Sequence, residues 1–234
     1  MEEGVFKFKK FKVHHLHSSM KVGVDAVLLG AWAGETAHSI LDVGTGCGVI
    51  ALMLAQRFPE AKVLAIDIDA PSIEEADKNF TESPWKERLV AEEESFQEIE
   101  KQNQFDLIVS NPPYFASGLN NLATPREKAR HQDTLSVFKL LKGSGDFLVP
   151  GGRLSVIFPI EYYDEAIRTG KENNLNLIRE CIIRDKAEKK AKRVMGEFSN
   201  QEKPLVSENL ILFEEGRIPT ENYRKLCGEF YLKF

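Results

Sequence analysis

Short apolar runs alternate with helical-period segments from residue 39 onward, and that alternation leaves very few architectures open to this chain. "SILDVG" (39–44) reads as a buried strand, and "GVIALMLAQRF" (48–58) spaces its apolar residues for a helix with no internal breaker. "KVLAIDID" (62–69) is a second strand, and "PSIEEADKNFTES" (71–83) a second helix with Pro71 suited to its first turn. A weaker strand, "RLVAEE" (88–93), precedes a strong one, "FDLIVS" (105–110). "GGRLSVIFP" (151–159) reads as a turn feeding a strand, and "IEYYDEAIRTGKENN" (160–174) as the helix after it. "LNLIRECIIRD" (175–185) and "SENLILFEE" (207–215) are β-rich and are expected to pair late in the chain. Strands that alternate with helices pair in parallel through right-handed crossovers. The expectation is one doubly wound α/β domain over residues 1–234, with a basic N-terminal segment at about 1–20 and no internal repeat.

In such a sheet, ligands bind beyond the carboxyl ends of the strands, near the point where strand order reverses. After the first strand comes "LDVGTGCGVIAL" (41–52), where Gly44, Gly46 and Gly48 permit a sharp turn and close approach of a ligand to the backbone. The spacing is GxGxG. The dinucleotide fingerprint places its last glycine one residue later, where this chain has Val49. Asp42, two residues before the first glycine, suits a ligand with an ammonium and a carboxylate better than one with a pyrophosphate. Asp67 ends the second strand about 20 residues past the glycine turn, the place of an acid that accepts from both ribose hydroxyls. Asp69 is expected to cap the next helix.

The fourth strand stops on Asn111-Pro112-Pro113-Tyr114. Two prolines cannot continue a ladder, since neither donates a backbone hydrogen bond. The Asn111 amide oxygen and the Pro112 carbonyl can accept the two N–H bonds of a planar –NH2 group, and Tyr114 offers a face on which a base stacks. A grip of that kind draws the nitrogen lone pair out of conjugation and aims it at an electrophile.

Composition is that of an ordinary globular protein, 42% apolar and 29% charged, and no apolar run approaches the ~20 residues that cross a bilayer. The N-terminus has no continuous apolar stretch of the export type, so a cytoplasmic protein is expected. Cys47, Cys181 and Cys227 are odd in number and far apart, which argues against a disulfide framework; Cys47, in the glycine turn, is expected to be a small packed residue. A net charge of −5 does not advertise a nucleic-acid binder. Cations nevertheless cluster at Lys7, Lys9, Lys10, Lys12 and Lys21, and again at Arg184, Lys186, Lys189, Lys190, Lys192 and Arg193. A solvated face explains such runs, and so do phosphate contacts. His14, His15 and His17 are expected to face solvent or RNA, and no metal is expected.

"LDVGTGCGVIAL", "AIDID" and "SNPPY" resemble, in order and spacing, the S-adenosyl-L-methionine-dependent methyltransferases that modify exocyclic amines. "MKVGVDAVLLGAW" (20–32), "NFTESPWKERL" (79–89) and "FYLKF" (230–234) are similar to the bacterial tRNA1(Val) (adenine(37)-N6)-methyltransferase family, a resemblance that runs from about residue 6 to the C-terminus. It implies a Rossmann-like fold with a mostly parallel seven-stranded sheet and an antiparallel last strand. It also implies S-adenosyl-L-methionine as cofactor and the anticodon stem-loop of a valine tRNA as partner; a monomer is expected because the sequence leaves no obvious apolar extension over. By the same resemblance, Asp42, Gly44, Gly46, Gly48, Asp67 and Asn111 bind the cofactor, and Asn111, Pro112 and Tyr114 form the catalytic loop. Lys21, Gly23 and Asp25 fall in a segment that closes over the cofactor, and Thr124-Pro125-Arg126 with Ala129-Arg130-His131 in a loop beside the target. Many such enzymes carry an aspartate after the third strand; here Ser95 takes that place, with Glu94 beside it. A related methyltransferase acting on rRNA or a protein glutamine, a nicotinamide oxidoreductase, and a non-catalytic RNA-binding protein remain alternatives. Val49 and the NPPY loop weigh against the second.

Overall fold

The computed structural model describes residues 3–100, 104–114 and 135–234. Along the chain run β1 (Val5–Lys7), β2 (Lys12–His14), α1 (Val24–Trp32), β3 (Ser39–Val43), α2 (Val49–Arg57), β4 (Lys62–Asp67), α3 (Ala70–Thr81) and β5 (Leu89–Glu93). They are followed by β6 (Phe105–Ser110), α4 (Val137–Phe147), β7 (Leu148–Pro159), α5 (Tyr163–Glu172), β8 (Asn176–Arg184), β9 (Arg193–Ser199), β10 (Val206–Ile211) and α6 (Glu221–Cys227).

Eight strands form the central sheet in the order β10-β8-β9-β7-β6-β3-β4-β5, and β1 pairs with β2 in a separate hairpin. Neighbours run parallel except β9, which is antiparallel to both β7 and β8. The expected mostly parallel α/β sheet with one antiparallel strand is therefore present, with one strand more than seven, and the antiparallel strand is the last but one. β10 adds outside β8, parallel to it, so the late β-rich segments do pair. The antiparallel strand is β9, "RVMGEFS", which follows directly on a cationic run and carries a carboxylate in its middle. That carboxylate, Glu197, is only 2% exposed and is satisfied there, accepting from the Gly34 N–H and the Ser155 hydroxyl at 2.9 Å each.

Strand alternation sends side chains to two cores. Ile40, Val63 and Leu107 pack with α1, α2 and the buried side of α3. Leu41, Ile108 and Leu154 pack on the other face against Leu140 and Leu141 of α4 and Ala166 of α5. Helices on both faces are what a doubly wound sheet requires. Arg57 at the end of α2 donates to the Gly30, Ala33 and Gly34 carbonyls, so it satisfies open carbonyls at the buried C-terminus of α1 and locks the two helices together. The N-terminal hairpin is fastened to the C-terminal residues: Phe8 bridges to Tyr231, and the rings of Phe6, Phe8, Phe11 and Tyr231 form a stack and edge cluster.

Candidate active site

β3 and β6 lie side by side where strand order reverses, and the Ser110 hydroxyl donates to the Val43 carbonyl at 2.7 Å to tie their carboxyl ends together. Beyond those ends opens a cavity of about 690 Å³. Gly44 and Gly46 from the turn, Asp67 and Ile68 from the end of β4, Glu94 and Phe96 after β5, and Asn111 to Tyr114 after β6 all line it.

The turn itself needs glycine three times, with φ of 69° at Gly44, 55° at Gly46 and 78° at Gly48. Gly46 has open space above it: an added Cβ would meet nothing nearer than the Met20 carbonyl at 4.0 Å. Gly48 differs. A Cβ there would stand 2.5 Å from the Phe80 ring, so this glycine serves close packing of the turn on α3 and stands behind the cavity lining. Val49 is the buried first residue of α2, and the close approach that the dinucleotide fold assigns one residue later is made here by Gly48.

Asp42 is also behind the turn and fully buried. One oxygen accepts from the Thr45 hydroxyl at 2.6 Å and the Ala51 N–H at 3.2 Å, while Oδ1 has no partner among the described residues. Burial pushes its carboxyl up to about 7 against the pull of these two hydrogen bonds. Asp67 reaches the cavity. Its Oδ2 accepts from the Gly46 N–H at 2.9 Å and its Oδ1 from the Asp69 N–H at 3.1 Å, with burial again raising the carboxyl. Asp69 caps α3, accepting from the Ser72 N–H and hydroxyl. Cys47, 2% exposed, is a packed wall residue with its thiol pushed up to about 12 by desolvation.

One wall is a strap formed by the residues after β2. Glu75 of α3 accepts from three consecutive backbone N–H groups, Leu16 at 2.7 Å, His17 at 3.1 Å and Ser18 at 2.8 Å. Burial raises this carboxyl, but the three N–H groups outweigh it and hold Glu75 below the usual range. Asn79 grips both the N–H and the carbonyl of His14 and donates to the Cys47 carbonyl at 2.9 Å, which binds strap, helix and glycine turn into one unit. Ser19, Met20 and Lys21 thereby line the cavity. The histidines depart from the expected outward-facing set. His14 lies 3.2 Å from Glu82, His15 accepts the Val22 N–H through Nδ1 and has its pKa lowered by burial, and His17 alone of the three is exposed. No group of three or more His, Cys, Asp or Glu side chains among the described residues is arranged to hold a metal.

On the opposite side, Asn111 presents Oδ1 buried and without a partner among the described residues, Pro112 is buried in the wall, and Tyr114 stands 40% exposed at the mouth. Glu94 lines the cavity, whereas the Ser95 hydroxyl turns to Gln97. Residues 124–126 and 129–131 lie outside the described residues. The loop between β8 and β9 projects from the same end of the sheet, since Arg193 pairs with Pro159 at the carboxyl end of β7; Lys189, Lys190 and Lys192 on it are exposed.

The donors and acceptors fit S-adenosyl-L-methionine. An acid at the end of β4 can accept from a diol, the glycine turn has open backbone for a small zwitterionic group, and Ile68 and Phe96 supply apolar walls. Fold and cavity define a methyltransferase, and the methyltransferase small domain family matches residues 17–167. A predicted O-methyltransferase from Agrobacterium tumefaciens shares the fold at a TM-score of 0.70 and 20% identity, covering 88% of this chain and 96% of that one. The M. jannaschii tRNA m1G37 methyltransferase shares it at 0.61 and 15%, covering 85% and 57%. Sequence relatives are nearer. A tRNA1(Val) (adenine(37)-N6)-methyltransferase of Bacteroides thetaiotaomicron is 38% identical over 99% of both chains, and one of Parabacteroides distasonis is 41% identical over 100% of both. The chain belongs to the tRNA1(Val) (adenine(37)-N6)-methyltransferase family.

Proposed function

We propose that this protein transfers a methyl group from S-adenosyl-L-methionine to N6 of adenine 37 in the anticodon loop of a valine tRNA, the reaction for which its relatives are named. The observation that carries the reading is the Asn111 amide oxygen, buried and without a partner among the described residues, in the wall of the cavity that also holds the glycine turn and Asp67. A buried acceptor left open costs about 1–3 kcal/mol, and an incoming –NH2 group satisfies it.

Asp67 would hold the ribose hydroxyls, with Gly44 and Gly46 beneath the methionine part. Asp42 and Gly48 shape that turn from behind. Bound there, the cofactor supplies a methyl group activated by its sulfonium. The chain contributes position and hydrogen bonds. Asn111 Oδ1 and the Pro112 carbonyl accept the two N–H bonds of the adenine amine, and Tyr114 stacks on the base. Those bonds strengthen as positive charge develops on nitrogen, so the attacking step needs no strong base, and solvent takes the proton afterwards. An anticodon loop is a suitable substrate because its bases can be splayed out. The lysines of the β8–β9 loop supply phosphate contacts beside the mouth. We take the whole chain, residues 1–234, as one such domain acting as a monomer in the cytoplasm.

Incubating the purified protein with tritiated cofactor and separate tRNA, rRNA and protein fractions tests the reading. Label in N6-methyladenosine at position 37 of valine tRNA is expected. Label confined to rRNA or to protein glutamine would overturn it in favour of a related target.

A further inference from the structure

We propose that Asp25 and Arg193 are positioning residues that hold the Tyr114 ring ready for the target base, an inference that rests on the adenine-methylating reading above. Tyr114 follows two prolines and is 40% exposed, so packing alone leaves its ring orientation open. Its hydroxyl donates to Asp25 Oδ2 at 2.8 Å, a contact across 89 residues of sequence. Asp25 sits in the first turn of α1, whose next seven residues, Ala26 to Trp32, are all buried, so its backbone has no freedom to follow the loop.

The other oxygen, Oδ1, faces Arg193 Nε at 3.2 Å. Arg193 begins β9, and its Nη2 donates to Asp185 Oδ1 at 2.8 Å while Lys192 takes Asp185 Oδ2 at 3.0 Å. A chain of alternating charge thus runs from the basic β8–β9 loop to the catalytic loop. Tyr114, Asp25 and Arg193 all line the one cavity. The guanidinium lies against the far oxygen of the Asp25 side chain and limits its rotation, and a charge-assisted O–H bond is about twice as strong as a neutral one. A ring held beforehand does not have to be ordered when the base arrives, so the gain falls on the chemical step and on target placement.

Two arms test this. In the first, 3-fluorotyrosine is incorporated into the full chain, and the Tyr114 signal is assigned by its loss in Tyr114→Phe. In Asp25→Ala that signal is expected to move towards the position of a freely exposed tyrosine; an unmoved signal overturns the clamp, whatever the substrate. In the second, a double-mutant cycle is measured on the RNA that the wild type labels. Tyr114→Phe and Asp25→Ala are each expected to lower kcat about tenfold, with cofactor affinity by calorimetry within about twofold, and together to be no worse than either alone. Asp25→Asn, which keeps an acceptor for the hydroxyl, should recover part of the loss. Losses that multiply, or an Arg193→Ala effect confined to KM for RNA, would overturn the proposal. If the wild type labels no adenine, the reading of the substrate fails while the first arm still decides the clamp.

Discussion

The Asp67 carboxylate and the Gly46 backbone N–H meet at 2.9 Å, so the end of β4 holds open the glycine turn that follows β3. In the proposed binding mode, one side chain therefore shapes the amino-acid end of the cavity and faces its sugar end. Asp67→Ala removes an acceptor of two bonds from backbone amides along with the proposed acceptor for the ribose. At about 1.5–3 kcal/mol per bond to a charged group, cofactor affinity should fall by at least about tenfold in calorimetry. Unchanged affinity would remove Asp67 from the cofactor site.

Glu75 accepts from Leu16, His17 and Ser18 in succession, and no other side chain of α3 holds so much of the strap. Glu75→Ala leaves three N–H groups without their carboxylate. Hydrogen exchange at residues 16–18 should quicken by at least about tenfold, since a bond to a charged group contributes about 1.5–3 kcal/mol and each 1.4 kcal/mol of protection is a factor of ten. Because Ser19, Met20 and Lys21 line the cavity, cofactor affinity should fall with it. Exchange as slow as in the wild type would show that the strap is held by its other anchors, Asn79 and Ser72.

The parts of this site that could be read in the sequence are those where local chemistry announces itself. Three glycines at alternate positions, an acid ending a strand and a pair of prolines after a strand each break a backbone pattern, and all of them sit around the reversal point of the sheet. Position in the cavity wall was not legible: Asp42 and Gly48 belong to the same motif as Gly46 yet stand behind it, because burial and the Phe80 ring decide their place. β9 was hidden by its inward-facing Glu197, whose partners Gly34 and Ser155 are 163 and 42 residues away. Glu75, an unremarkable acid on an amphipathic helix, holds the strap through bonds that span 57–59 residues. Such pairings leave no periodic trace.

Asn111 carries the proposed reaction, and its oxygen, without a partner among the described residues, makes the expected effect of removing it specific. Asn111→Ala should lower kcat by about 10²–10³-fold, the usual loss for one preorganised hydrogen-bonding group at a reacting centre. Cofactor affinity should change little and thermal stability should hold or rise, since the variant no longer buries an acceptor that has no partner among the described residues. Full turnover in this variant would rule out the grip on the amine.

Asp42 gives the protein a pH dependence of stability. In the native state its carboxyl is raised from 3.8 to about 7 by burial, so between those values the folded chain holds a proton that the unfolded chain has released. Stability from this group is present in full below the unfolded value, declines as pH rises towards about 7, and is lost above it. Asp42→Asn cannot ionise and should gain on the wild type by roughly 2–3 kcal/mol between about pH 5 and pH 8 in urea unfolding. A difference that stays constant over that range would show that Asp42 is ionised throughout.

The β8–β9 loop gives the RNA reading its own test. Lys189 and Lys190 are exposed on the loop that projects beside the cavity mouth. Each phosphate contact contributes roughly 0.7–0.9 to the slope of log affinity against log salt. Lys189→Ala with Lys190→Ala should therefore flatten that slope by roughly 1.5 and weaken tRNA binding most at low salt, where counterion release favours the complex most strongly. Cofactor affinity, measured without RNA, should be unaffected, because neither lysine lines the cavity. An identical salt slope in the double variant would return this cluster to a solvated face and move the RNA contact elsewhere on the surface.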